Sequence, residues 1–221
     1  MDYQSFLIFL MELVGTVAFA SSGAMVAIGR KMDIFGVGVL GVVTACGGGM
    51  IRDIILGIIP PNVFIHAVYA QVAIIVSSLT FLLFYWKGEL LKGRIRSHYD
   101  KTMLIMDTVG LAVFTVVGVN TGISCGYKEN AFLLVFVGTI TGVGGGLLRD
   151  MMAGVPPYIF VKHIYACASI VGAVVCVFLH RRIGNVEAMA GAGTVVIGIR
   201  YLAVRYRWNL PKLPTDKERE K

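Results

Sequence analysis

The chain has 221 residues, of which 57% are hydrophobic and only 15% charged, and its mean hydropathy is +0.78. A soluble domain averages about 45–50% apolar and about 25% charged residues, so this composition excludes a water-soluble globular fold. The net charge of +7 is largely a topological bias, set out below, and calls for no nucleic-acid partner.

Crossing a bilayer takes about 20 mostly apolar residues per helix. Seven blocks qualify, at residues 6–28, 35–59, 63–86, 103–119, 131–155, 159–179 and 186–204. They predict an all-α membrane protein with seven transmembrane helices. The first block follows Asp2 rather than a basic leader, and its pattern recurs later in the chain. It is therefore expected to be a mature helix and not a signal peptide.

Basic residues orient the helices. With one crossing per block, one side receives Arg30, Lys31, Lys87, Lys92, Arg94, Arg96, Lys101, Arg205, Arg207, Lys212, Lys217, Arg219 and Lys221. The other receives only Lys128, Arg181 and Arg182. The positive-inside rule makes the richer side cytoplasmic, with the N-terminus out and the C-terminus in. The loop KGELLKGRIRSHYDK is basic enough to rest on anionic headgroups, although retaining orientation is the simpler reading. The tail at 207–221 is polar and broken by proline. Cys46, Cys167 and Cys176 lie in apolar blocks and Cys125 in a loop, a pattern that suggests neither a disulfide framework nor a zinc site. No cofactor is expected.

The second and fifth blocks carry near-copies, GGGMIRDIILGIIPP from Gly47 and GGGLLRDMMAGVPP from Gly144. Aligned with one gap at Ile59, residues 47–70 and 144–166 share eleven identities, including the Arg-Asp and Pro-Pro pairs. Upstream, ELVGTVAFASSG from Glu12 matches DTVGLAVFTVVG from Asp107. The chain thus reads as a three-helix unit at 5–87, a second at 102–180, a seventh helix at 186–206 and the tail. An odd number of crossings inverts the second unit relative to the first, an arrangement that transporters use around a midplane site.

Gly47, Gly48 and Gly49, like Gly144, Gly145 and Gly146, fall near the middle of their blocks at about 1.5 Å per residue. Three readings compete. A phosphate loop would need the Lys-Ser/Thr ending of a Walker sequence, and Arg-Asp stands there instead. Small residues also let two helices pack closely. The third reading, favoured here, is a paired helix break whose freed backbone groups line a polar path.

Ionisable groups at membrane depth need partners or water. The repeat supplies Glu12, Arg52 and Asp53, then Asp107, Arg149 and Asp150. Adjacent residues point in different directions on a helix, so Arg52 and Asp53 are expected to be poor partners for each other. Depth favours the ion pairs Glu12–Arg52 and Asp107–Arg149, leaving Asp53 and Asp150 to cap backbone or draw cations. A purely stapling role for all six is the competing reading. No nucleophile, metal or nucleotide signature supports an enzyme. His66, His163, Tyr85, Trp86, Tyr201, Tyr206 and Trp208 suit the membrane interfaces.

The duplicated GGGxxRD segments, GRKMDIFGV, DTVGLAVF and RYLAVRYRWNLP resemble the prokaryotic branch of the trimeric intracellular cation (TRIC) channel family over residues 5–211. Bacterial members of that family have also been described as glycine transporters. The resemblance implies a homotrimer with one pore per protomer, passing K+ and Na+ and lined by kinked second and fifth helices. Carried onto this chain, the pore elements are the two glycine triplets, with Ser21, Ser22, Thr44, Thr115 and Thr141 as wall residues. Relatives often carry Lys after the Asn that stands here at 120, whereas this chain has Thr121, a departure that implies altered conduction. The expected function is a monovalent-cation channel of a prokaryotic inner membrane. A secondary transporter of glycine or another small zwitterion, and a non-conducting scaffold, are the alternatives.

Overall fold

The computed structural model describes residues 3–86, 94–161 and 164–208. They form α1 (Tyr3–Gly29), α2 (Ile34–Ile55), α3 (Asn62–Ile65), α4 (Val68–Trp86), α5 (Arg94–Ser124), α6 (Ala131–Met152), α7 (Tyr158–Val161), α8 (Tyr165–Ile183) and α9 (Asn185–Arg205). All but the four-residue α3 and α7 are long and apolar enough to cross a membrane, giving seven candidate spans. Together they make an all-α, multi-pass membrane fold.

Two predicted blocks are subdivided. Residues 63–86 split into α3 and α4, and residues 159–179 into α7 and α8. Proline lacks the amide that a helix interior needs but suits a helix start, and Pro60-Pro61 and Pro156-Pro157 stand immediately before the short α3 and α7. The fourth block extends at both ends, because α5 starts at Arg94 and runs to Ser124. Apolar content marks only the part of a helix that lipid covers. Beyond it, α5 is anchored by the Tyr99 hydroxyl, which donates to the Met25 carbonyl of α1.

Local signals recur in α2 and α6. Asp33 accepts from the Gly36 amide at 2.7 Å and Asn130 from the Leu133 amide at 3.1 Å, each satisfying a free donor at its helix N-terminus. Just past the C-caps Leu56 and Ala153, Gly57 and Gly154 have φ of +74° and +63°. That left-handed turn suits glycine, which has no Cβ to clash.

The expected break at the triplets does not occur, for α2 and α6 are continuously helical across residues 47–49 and 144–146. The glycines instead bring the two backbones together. A Cβ on Gly48 would lie 2.2 Å from the Thr141 carbonyl oxygen, and one on Gly145 would lie 2.0 Å from that of Thr44. Such close approach recovers dispersion contact between helices, and the hydrogen-bond ladder need not open to provide it. Nearby, a Cβ on Gly23 would lie 2.8 Å from the Leu40 carbonyl oxygen, and one on Gly118 2.8 Å from that of Val137, tying α1 to α2 and α5 to α6. The rings of Phe19 and Phe114 meet with centroids 5.2 Å apart.

The last helix packs chiefly on the second half, with a small contact to α1. Met189 and Ala192 of α9 are buried with Ala173 and Cys176 of α8. A Cβ on Gly172 would lie 2.1 Å from Val196. At its start α9 is held by Asn185, whose Nδ2 donates to Asn120 Oδ1 at 2.7 Å.

Candidate functional site

The six repeat-related charges gather into two clusters, one per half. In the first, Glu12 of α1 accepts a short hydrogen bond from the Tyr69 hydroxyl of α4. Arg52 turns to its neighbour: Nε and Nη2 reach Asp53 Oδ1 at 2.8 and 2.7 Å. The other Asp53 oxygen accepts from the Asn62 amide at 2.7 Å, at the start of α3. Glu12 and Arg52 make no ion pair among the described residues, which departs from the expected pairing. Adjacent-residue pairing succeeds because α3 fixes the carboxylate beside the last turn of α2, and the long Arg side chain curls back to it.

In the second cluster Arg149 is more fully engaged. Nη1 donates to Asp107 Oδ1 at 2.6 Å and to Ser22 Oγ at 2.7 Å, while Nε donates to Asp150 Oδ1 at 2.8 Å. Asp150 Oδ2 accepts from the Tyr158 amide at 2.8 Å, the same capping bond that Asp53 makes. Here the adjacent pair and the expected Asp107–Arg149 pair coexist. Arg149 and Asp107 are both wholly buried, where breaking up a charge pair is costly. The Arg149 guanidinium carbon lies 5.4 Å from the Tyr158 ring centroid, and that of Arg200 lies 4.9 Å from the Tyr165 centroid. Burial pushes ionisation of the Tyr158 phenol above its ordinary range, with Arg149 pulling the other way.

The clusters are not equivalent, and particular residues make them differ. Ser22 aligns with Val117 in the repeat, so only Arg149 gains a hydroxyl partner. Glu12 is one methylene longer than Asp107 and engages Tyr69 instead of an arginine. Arg200 comes from α9, which has no repeat counterpart. The first half consequently keeps a cavity of about 160 Å³, lined by Glu12, Gly49, Arg52, Asp53, His66 and Tyr69 among others, with Phe114 also on its wall.

The expected wall residues lie elsewhere. Thr44 Oγ1 donates to the Leu40 carbonyl at 2.6 Å, and Thr141 makes the matching bond to Val137. Thr115 donates to the Leu111 carbonyl at 2.7 Å and contacts Ser169 at the same distance. Ser22 serves Arg149, and Ser21 is half-buried; none of the five lines this cavity. Of the glycines, only Gly49 faces it. Thr121 does reach it, with Oγ1 also donating to the Val117 carbonyl at 2.9 Å. His66 is exposed and lines the cavity. His163, Lys87, Lys92 and the tail from 209 onward lie outside the described residues.

Comparison with known proteins places the chain. One family model, described as "Glycine transporter", matches residues 9–85 and again 104–181. The UPF0126 inner membrane protein YadS of Escherichia coli K12 is 38% identical over 214 residues, covering 96% of this chain and 98% of YadS. A solved structure described as a structural basis for conductance through TRIC cation channels is 32% identical with a TM-score of 0.81, covering 98% of this chain and 99% of that one. The TRIC orthologue from Rhodobacter sphaeroides is 28% identical with a TM-score of 0.81, over 91% of this chain and 99% of that one. The chain belongs to the TRIC family.

Three contributors are not singled out by the sequence. Tyr69 and Tyr165 were visible as one of the repeat identities, but an aromatic at a helix start reads as interfacial. Arg200 is almost fully buried; its signal was a lone Arg inside the last apolar block, absent from the repeat.

Proposed function

We propose that this chain is a monovalent-cation channel of a prokaryotic inner membrane, passing K+ and Na+ through each protomer of a homotrimer. The observation that carries the reading is the cavity beside the glycine crossing. Its lining includes two carboxylates, Glu12 and Asp53, and one guanidinium, Arg52, a balance that favours entry of a cation. The path enters through this cavity and runs past Gly49 and the helix crossing towards the Asp107–Arg149 cluster. The units at 5–87 and 102–180 are inverted relative to each other, and the cavity opens to the outer side, with the N-terminus out and the C-terminus cytoplasmic. Likeness along nearly the whole chain to TRIC cation channels supports the reading.

A second reading has its own support. A carboxylate and a guanidinium on one small cavity complement the ammonium and carboxylate of a zwitterion such as glycine, in line with the description of the matching family model. Proteoliposomes separate the two. A channel gives potassium efflux that glycine neither requires nor saturates. Saturable glycine uptake without independent potassium flux would instead establish the transporter.

A further inference from the structure

The third glycine of each triplet has different surroundings in the two halves. Gly49 borders the open cavity, and a Cβ there would have only Arg52 Nη2 near it, at 3.7 Å. Gly146 faces a buried polar niche. A Cβ there would lie 3.0 Å from Tyr165 Oη, 3.6 Å from Arg149 Nη2 and 3.8 Å from Asp107 Oδ1.

The niche holds polar atoms that the cluster itself leaves unserved. Tyr165 Oη, Arg149 Nη2 and Asp107 Oδ2 are all buried, and none completes a hydrogen bond of good geometry, although the Tyr165 hydroxyl lies close to the Asp107 carboxylate. Buried polar groups in native proteins nearly always have a partner, either protein or ordered water. Three under-served groups around a missing side chain, one a donor only, one an acceptor only and one able to do both, define the chemistry of what fits.

Charge narrows it further. The charged and titratable groups around the niche are Asp107 (α5), Arg149 and Asp150 (α6), Tyr158 (α7), Tyr165 (α8) and Arg200 (α9), with Ser22 (α1) bonded to Arg149 Nη1. Two arginines and two aspartates balance. A bare cation would meet the Arg149 N–H groups and an anion would meet Asp107, so a neutral group that both donates and accepts is favoured.

We infer that the niche bounded by Gly146, Arg149, Asp107 and Tyr165 is a binding site for one neutral hydroxylic group, a buried water. It bridges Arg149 Nη2 to Asp107 Oδ2 and takes or gives a third bond at Tyr165 Oη.

The test exploits opposite expectations for two small substitutions. Helix propensity favours Ala over Ser, and so does simple crowding, because Ser is larger. A hydrated niche reverses the order, since the Ser hydroxyl replaces the water while the Ala methyl displaces it and leaves those groups under-served. Gly146→Ala should lower the melting temperature of the detergent-solubilised protein by roughly 3–8 °C, and Gly146→Ser by clearly less. At the open counterpart, Gly49→Ala should be at least as stable as Gly49→Ser. Gly146→Ala proving as stable as Gly146→Ser, or more so, would overturn the site. A high-resolution map of the unmodified protein gives an independent arm, needing no variant to fold. Density about 2.6–3.2 Å from both Arg149 Nη2 and Asp107 Oδ2 supports the water, whereas direct Tyr165–Asp107 bonding with no density between excludes it. Neither arm depends on ion flux, so a failure of the channel reading would leave this result standing.

Discussion

Gly48 and Gly145 occupy reciprocal positions at the crossing of α2 and α6, each lying under the carbonyl of the threonine three residues before the other helix's triplet. This contact joins the two halves of the chain, and it explains why the middle glycine recurs. Backbone carbonyls cannot move aside as a flexible side chain can. Gly48→Ala and Gly145→Ala should each cost about 1–3 kcal/mol of stability through overpacking, measured by thermal or denaturant unfolding in detergent. Gly38→Ala in the same helix, with open space around it, should be neutral or stabilising by up to about 1 kcal/mol. Equal effects at the three positions would show that the crossing is looser than described.

The buried charges separate a structural cluster from an accessible one. Asp107→Asn and Arg149→Gln should each destabilise by about 3–5 kcal/mol, because each leaves a buried charge without its partner. Replacing both together should cost less than the sum, with a coupling energy of at least about 1 kcal/mol in a double-mutant cycle. Glu12→Gln keeps an acceptor for Tyr69 and disturbs no ion pair, so its effect on stability should be well under that of Asp107→Asn. Additive losses at Asp107 and Arg149 would contradict the pairing.

Much of this architecture was legible in the chain. Long apolar blocks identify the seven spans, and the repeated GGGxxRD segments single out the helices that cross. Glycine weakens an isolated helix, which is why the triplets suggest a break in sequence, whereas contact with a second backbone compensates that weakness and keeps both helices continuous. Pairing of Arg52 with Asp53 is hidden in the sequence for a related reason. Neighbours diverge on a free helix surface, but Asn62 holds the carboxylate from outside the helix. The repeat made the halves look equal. Their inequality rests on single substitutions, Ser22 against Val117 and Glu12 against Asp107, and on Arg200 in the unrepeated α9.

Native cysteines probe the proposed entrance. Cys46 lines the cavity, Cys125 is exposed on a loop and Cys176 is buried in the packing of α8. A small positively charged thiol reagent applied from the outer side should reduce potassium flux in the unmodified protein and leave Cys46→Ala unaffected. Block that persists in Cys46→Ala, or that moves with Cys125→Ala, would place the entrance elsewhere.

Position 121 offers a test of gain in charge. Thr121 borders the same cavity as Glu12 and Asp53. Thr121→Lys should lower unitary cation conductance, by roughly 2-fold or more at low salt and by less at high salt as screening grows. Unchanged conductance at low ionic strength would mean that permeating ions do not pass this residue.

The central claim is that ions cross inside the protomer by way of the cavity beside the glycine crossing. Recording from purified protein in planar bilayers under symmetric KCl tests it most directly. Stepwise unitary potassium currents should appear, persist with sodium and be strongly reduced in a Gly49→Leu variant, whose side chain would enter the cavity at a position where a Cβ meets only Arg52 Nη2 at 3.7 Å. Absence of unitary currents from active, folded protein, or currents unchanged in that variant, would contradict it.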